Sequence, residues 1–141
     1  MKITEHFTYE ELTRSFEGER NGLNNQPPDS VMPNIKRCAE MMENVRSLLK
    51  KPIQIHSCYR SSSVNKLIGG KPTSQHLQGL AVDFVCAEFG TPAEVAKAII
   101  SSGIYFGKLL YEYDSWIHLQ PGTEKKVFTI NSFGTFSGIR I

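Results

Sequence analysis

The sequence predicts an α+β fold in which a small, mainly antiparallel sheet packs against helices. Apolar residues recur at spacings of three and four between Ile35 and Leu49, which marks a core helix. Short β-branched or alternating runs at 53–57, 80–85, 108–113 and 116–120 mark strands, and the tight Asp114-Ser115 turn between the last two makes that pair antiparallel. A chain of 141 residues can bury roughly two thirds of the surface its unfolded form exposes, enough for one domain over 1–141 without disulfides or a partner chain.

Each element has its own local reason. Thr8-Tyr9-Glu10-Glu11 places a glutamate three residues after a hydroxyl, the reciprocal cap of a helix start, so a short helix to about Arg14 is expected. Residues 17–33 contain Gly18, Asn21, Gly22, Asn24, Asn25, Pro27, Pro28 and Pro33, turn formers or helix breakers, and read as a long surface loop. Pro33 suits a first helical position; the core helix runs from there and ends before Pro52. Ile53-Gln54-Ile55-His56-Ser57 alternates as a strand with one buried face, and residues 61–67 form a short helix stopped by Gly69-Gly70. The run 80–85 is nearly continuous in apolar residues and is expected as a central strand. Thr91-Pro92-Ala93-Glu94 combines a cap, a first-turn proline and a glutamate, opening a helix through about Ser102. After the 108–120 hairpin, residues 126–130 and 136–141 are expected to add edge strands. No internal repeat or low-complexity segment interrupts this order.

Composition narrows the function classes. Sixteen Lys+Arg against 14 Asp+Glu leave a net charge of +2, and no run of basic residues exceeds two, so nothing argues for a nucleic-acid partner. Cys38, Cys58 and Cys86 are odd in number and lack a C-x-x-C pair, which predicts reduced, buried thiols and no cysteine metal site. No stretch approaches the roughly 18 apolar residues of a membrane helix. Residues 1–20 mix charges where a signal peptide would be apolar, so the chain is expected to be made in the cytoplasm without an export signal of its own.

The anomaly is Asp83, a carboxylate in the middle of an apolar strand, which is costly to bury unless it is paired, hydrogen-bonded or bound to a metal. His76 stands seven residues earlier, beyond Gly79, which can turn the chain back toward Asp83. His118 alternates with large apolar neighbours in Trp116-Ile117-His118-Leu119-Gln120. Two imidazoles and a carboxylate suit Zn²⁺ with a fourth position open for chemistry. Singly, each histidine is more often a hydrogen-bonded or surface residue, and Asp83 a carboxylate held by backbone N–H groups; the combination is the stronger signal. His6 and His56 lack an associated buried carboxylate and read as structural or surface residues.

Ser57-Cys58-Tyr59-Arg60-Ser61, Asn65, Gly69-Gly70, Ser74-Gln75-His76 with Gly79, Ala81 and Asp83, and finally Trp116-Ile117-His118 together resemble the zinc D-Ala-D-Ala carboxypeptidase and L-alanyl-D-glutamate endopeptidase family. These peptidoglycan peptidases share their fold with the hedgehog signalling domain, and the similarity covers about residues 1–120. The resemblance implies one Zn²⁺ per chain held by His76, Asp83 and His118, and a peptidoglycan stem peptide or D-Ala-D-Ala peptide as substrate. It also implies that Arg60 binds the substrate carboxylate or steadies the oxyanion, a role that suits the forked, always charged guanidinium. Ser74 and Gln75 either hydrogen-bond the substrate backbone or cap a turn, whereas Asn65 and Gly70 look like loop-shaping residues.

The general base departs from part of the family. Many members carry an acid three residues before the last histidine, where this chain has Ser115. Glu112 and Asp114 are the nearby carboxylates. A three-residue turn at 113–115 would set Glu112 opposite Trp116, on the face of His118, and a two-residue turn would point it away. Glutamate six residues before the last histidine also resembles the phage-type and hedgehog-like branches, so Glu112 is favoured over Asp114, which suits a turn. Trp116 fits a cleft wall or a core aromatic.

The leading expectation is a zinc peptidase that cuts the D-Ala-D-Ala or the L-Ala-D-Glu bond of the peptidoglycan stem. Without an export signal it fits a phage lysis enzyme released through a membrane pore, a phage structural component that opens the wall, or a bacterial enzyme acting on small D-Ala dipeptides inside the cell. A non-catalytic zinc module, wall-binding or part of a phage assembly, competes with it, since the hedgehog branch uses the same scaffold for binding. A metal-free structural domain is the third reading.

Overall fold

A computed structural model describes residues 1–141. In chain order it contains α1 (Tyr9–Thr13), α2 (Phe16–Arg20), α3 (Met32–Leu49), β1 (Gln54–Ser57), α4 (Ser62–Leu67), β2 (Val82–Val85), α5 (Pro92–Ser102), β3 (Lys108–Glu112), β4 (Trp116–Gln120), β5 (Lys126–Asn131) and β6 (Gly134–Ser137). The fold is α+β, as the sequence predicts.

The caps read from sequence form as reciprocal pairs. Thr8 Oγ1 accepts the Glu11 N–H at 3.1 Å and Glu11 Oε1 accepts the Thr8 N–H at 3.0 Å. Thr91 and Glu94 repeat the exchange at the start of α5. The core helix α3 begins at Met32, one residue before the expected start, with Pro33 in its first turn, and ends where Lys50 turns left-handed at φ 58°.

The expected loop at 17–33 needs correction. Its first residues belong to α2, where Ser15 Oγ accepts the Gly18 N–H at 3.1 Å, and Asp29–Val31 form a 3-10 turn. Gly18 does not break this helix. It allows close packing on α4, since a Cβ there would lie 2.9 Å from Val64 Cγ2.

The sheet has six strands in the order β1-β2-β4-β3-β5-β6, and every pairing is antiparallel except β3 with β5. The 126–130 run is therefore not an edge strand as expected. The five-residue link 121–125 passes beneath the start of β3, so β5 emerges on its far side and runs parallel to it. The link crosses so tightly that a Cβ on Gly107 would lie 2.6 Å from the Pro121 carbonyl oxygen. The last strand, β6, spans Gly134–Ser137 where residues 136–141 were expected, and forms the edge. β2 is interior, flanked by β1 and β4.

Alternation gives the sheet two chemically distinct faces. Phe84, Leu109, Tyr111, Ile117 and Leu119 point into a core cluster completed by Ile35, Met42 and Val45 of α3 and Val95, Ala96 and Ile99 of α5. The opposite face carries Asp83, Glu112, Trp116, His118 and Gln120. Cys38, Cys58 and Cys86 are free and buried. No helix is long and apolar enough to cross a membrane.

Candidate metal centre

The sheet register brings two of the candidate ligands together. Asp83 of β2 lies directly opposite His118 of β4, so both side chains leave the same face. His76 arrives from the 3-10 turn Gln75–Gln78, capped by Ser74 Oγ, which accepts the His76 N–H at 3.2 Å. Gly79 ends that turn at φ 68°, and a Cβ there would lie 2.8 Å from Ile35 Cγ1. Only glycine lets the turn both reverse and press against α3.

His118 Nδ1 is 2.9 Å from Asp83 Oδ1, and His76 Nε2 is 3.2 Å from Asp83 Oδ2. The two imidazole rings meet edge to face at 5.1 Å. His76 Nδ1 sits 2.6 Å from the Cys58 carbonyl, which accepts its proton and fixes the tautomer with a bare Nε2. That Nε2 is buried and has no hydrogen-bond partner. An orphaned imidazole lone pair, a second imidazole and a carboxylate converge within 4.8 Å, and this donor set fits Zn²⁺. Burial works to raise the Asp83 pKa, but the hydrogen bond from His118 Nδ1 and the two neighbouring imidazoles outweigh it and hold the carboxyl well below the usual carboxylate range. It is ionised, as a ligand must be.

Arg60 is set beside this cluster by a lattice of backbone ties. Its N–H donates to the His76 carbonyl at 3.0 Å, and the Tyr59 N–H donates to Leu12 of α1 at 3.0 Å. Asn25 secures the same segment: its Nδ2 donates to the Tyr59 carbonyl at 3.1 Å and its Oδ1 accepts the Ser61 N–H at 2.7 Å. The sequence reads Asn25 only as a turn former of the 17–33 loop, and nothing in its spacing signals this role. Arg60 Nε is buried without a partner, and burial pulls the guanidinium pKa down, opposed by the charges of Asp83 and Glu112. This is a cation kept free of fixed ion pairs, facing two carboxylates.

The hairpin between β3 and β4 turns through three residues and pairs Glu112 with Trp116. Glu112 thus shares the face of His118, and Trp116 Nε1 donates to its Oε2 at 2.7 Å. Burial first, then the Asp83 charge, raise the Glu112 pKa. Asp114 lies in the turn at φ 53° and accepts the Tyr111 hydroxyl, away from the histidines. Ser74 serves as a cap, and Gln75 is exposed. Asn65 and Gly70 shape their loop: Asn65 Nδ2 donates to the Lys71 carbonyl at 2.9 Å, and a Cβ on Gly70 would collide with the Asn65 side chain.

A cleft of about 690 Å³ opens over this face, walled by Arg60, Asp83 and Trp116 and, on the far side, by Arg14, Glu17 and Asn21. His56 is exposed in the same cleft. His6 instead pairs with Glu43 on the surface, 2.7 Å between Nδ1 and Oε1. Gln120 Nε2 lies 2.8 Å from His118 Nε2, a contact that spacing alone did not reveal.

No match was found among curated proteins. Residues 5–120 match the model of the family described as Peptidase M15, and the chain belongs to that family.

Proposed function

From membership in the peptidase M15 family, whose members are zinc-dependent and act on peptidoglycan peptides, we propose that this chain hydrolyses an amide bond of the peptidoglycan stem. The observation that carries this reading is the His76–Asp83–His118 cluster, with its orphaned His76 Nε2, whose Asp83 lines a cleft also walled by Arg60 and Trp116, with Glu112 on the same sheet face. His76 Nε2, an Asp83 oxygen and His118 Nδ1 would hold one Zn²⁺. When bound, the metal supplies Lewis acidity and an acidified water.

The remaining work falls to the chain. Arg60, cationic and without a fixed ion pair, binds the substrate carboxylate or the oxyanion that develops on the scissile carbonyl. Glu112 takes a proton at Oε1, the oxygen Trp116 leaves free, and returns it to the leaving amine. Its raised pKa brings it nearer the range in which a carboxylate both accepts and releases a proton. Asp114, bonded to Tyr111, is the weaker candidate for this task. Ser74 and Gln75 contribute as the frame of the His76 turn more than as substrate contacts.

The stem-peptide bond is either L-Ala-D-Glu or D-Ala-D-Ala; a cleft of about 690 Å³ that extends to α2 supports the longer, internal substrate. The position of Glu112, six residues before His118, supports a place in the phage-type branch and hence a role in lysis of the wall. Incubation of zinc-loaded protein with purified peptidoglycan and with D-Ala-D-Ala, followed by mass analysis, tests the reading. New D-Glu amino termini mark the endopeptidase and free D-Ala the carboxypeptidase. Stoichiometric zinc without either product overturns catalysis in favour of a binding module.

A further inference from the structure

Trp116 walls the cleft and occupies one oxygen of Glu112, and its contacts do more than either. The residue pairs directly with Glu112 across the three-residue turn, so the two side chains leave the sheet side by side. The Nε1–Oε2 distance of 2.7 Å is at the short end for an N–H donating to an ionised carboxylate. The Glu112 carboxylate accepts no other hydrogen bond. The indole is itself held on its other side by Tyr113, with ring centres 5.6 Å apart and planes tilted by 37°. Tyr113 is positioned for that contact by the left-handed turn, at φ 53°. The indole also walls the cleft beside Arg60 and Asp83. One rigid side chain therefore spans the turn, the proton acceptor and the substrate space.

We infer that Trp116 is a positioning residue for Glu112: its indole N–H occupies Oε2, fixes the carboxylate plane, and leaves Oε1 as the single oxygen presented to the reacting proton. This rests on the reading of Glu112 as the base. The chemistry of the donor supports it. An indole N–H only donates and does not titrate, so it holds the ionised carboxylate without competing for the proton that the carboxylate must accept. A hydroxyl or imidazole in the same place could exchange donor and acceptor roles. The proton balance is simple: Oε1 gains one proton from the attacking water and loses it to the leaving amine, while the Trp116 N–H keeps its own.

Trp116 is the only tryptophan of the chain, which gives the inference a readout independent of turnover. In ¹⁵N-labelled, zinc-loaded protein the single indole N–H resonance is expected downfield and protected from exchange, and Glu112→Gln, which neutralises the acceptor, is expected to shift it. Kinetically, Trp116→Phe keeps the wall and removes the N–H. It is expected to lower kcat by about 10- to 100-fold, the loss typical of a hydrogen bond to a charged group, with KM within about threefold and zinc stoichiometry unchanged. Trp116→His restores a ring N–H and is expected to recover part of the rate. Unchanged kcat in Trp116→Phe, or an indole resonance that ignores Glu112→Gln, overturns the inference. A fall in rate accompanied by zinc loss overturns it as well, since that is a structural effect. Failure of the reading beneath it looks different: wild-type protein would bind zinc and cleave nothing, or Glu112→Gln would cleave normally, and the indole resonance alone would then decide whether the contact exists.

Discussion

The two faces of β4 divide the labour of the molecule between stability and chemistry. Ile117 and Leu119 point into the core and are fully buried, while Trp116, His118 and Gln120, alternating with them, lie on the opposite face with Asp83 and Glu112. The same division runs through β2, where Phe84 enters the core and Asp83 meets the two histidines. Core positions need only shape and apolarity, so many residues could serve there. The site face needs particular atoms: a bare Nε2, a carboxylate pair of oxygens, an indole N–H. Alternation lets one short strand satisfy both demands without compromise, because neighbouring residues never share an environment.

If the division is real, substitutions on the two faces should fail in different ways. The largest expected effect is on the site face: His118→Ala or His76→Ala should lose zinc and all measurable peptidase activity, by metal analysis and product assay, while the far-ultraviolet dichroism keeps its shape. Glu112→Gln should keep zinc and lose about 10²- to 10⁴-fold in kcat, the range for removal of a general base. Unimpaired turnover would move the base elsewhere. On the core face, Ile117→Ala should cost about 2–5 kcal/mol in urea unfolding, and the protein that remains folded should bind zinc at wild-type stoichiometry. A loss of zinc affinity in folded Ile117→Ala would show that the faces are coupled.

The pH dependence of the metal-free protein sharpens the same contrast. Asp83 has a folded-state pKa held below its ordinary value of 3.8. Its contribution to stability is therefore complete above that value and is lost as pH falls toward the folded-state one. Unfolding midpoints of metal-free protein should fall between about pH 4 and lower values, and Asp83→Asn should flatten that fall. The smallest effect lies far from both faces: Thr91→Ala, which removes the cap of α5, should cost about 1 kcal/mol and leave zinc and activity unchanged.

What could be read without coordinates was what is local. The caps at Thr8 and Thr91, the α3 periodicity and the strand containing Asp83 each announce themselves within a few residues, and they form as expected. The site was legible because a charge inside an apolar strand is costly enough to demand a partner, and few histidines could supply one. The misses were relations between distant residues. Nothing near 126–130 says that its strand will lie parallel to β3, because that depends on a five-residue link passing under a neighbour. Gly18 was misread because glycine marks both breaks and close approaches, and only Val64, far along the chain, distinguishes them here. Asn25 hides for the same reason: its partners are backbone groups of residues 13, 59 and 61. The choice between Glu112 and Asp114 turns on a single residue of turn length, and the pairing of Glu112 with Trp116 gives the three-residue turn that sets Glu112 on the face of His118.

The most direct measurement compares products released from purified peptidoglycan by zinc-loaded wild-type protein and by zinc-loaded Glu112→Gln. The account predicts stem-peptide fragments with new amino termini or free D-Ala from the wild type, and none from the variant, at one zinc per chain in both. Equal release by the two proteins, or none from wild type that holds its zinc, would contradict it.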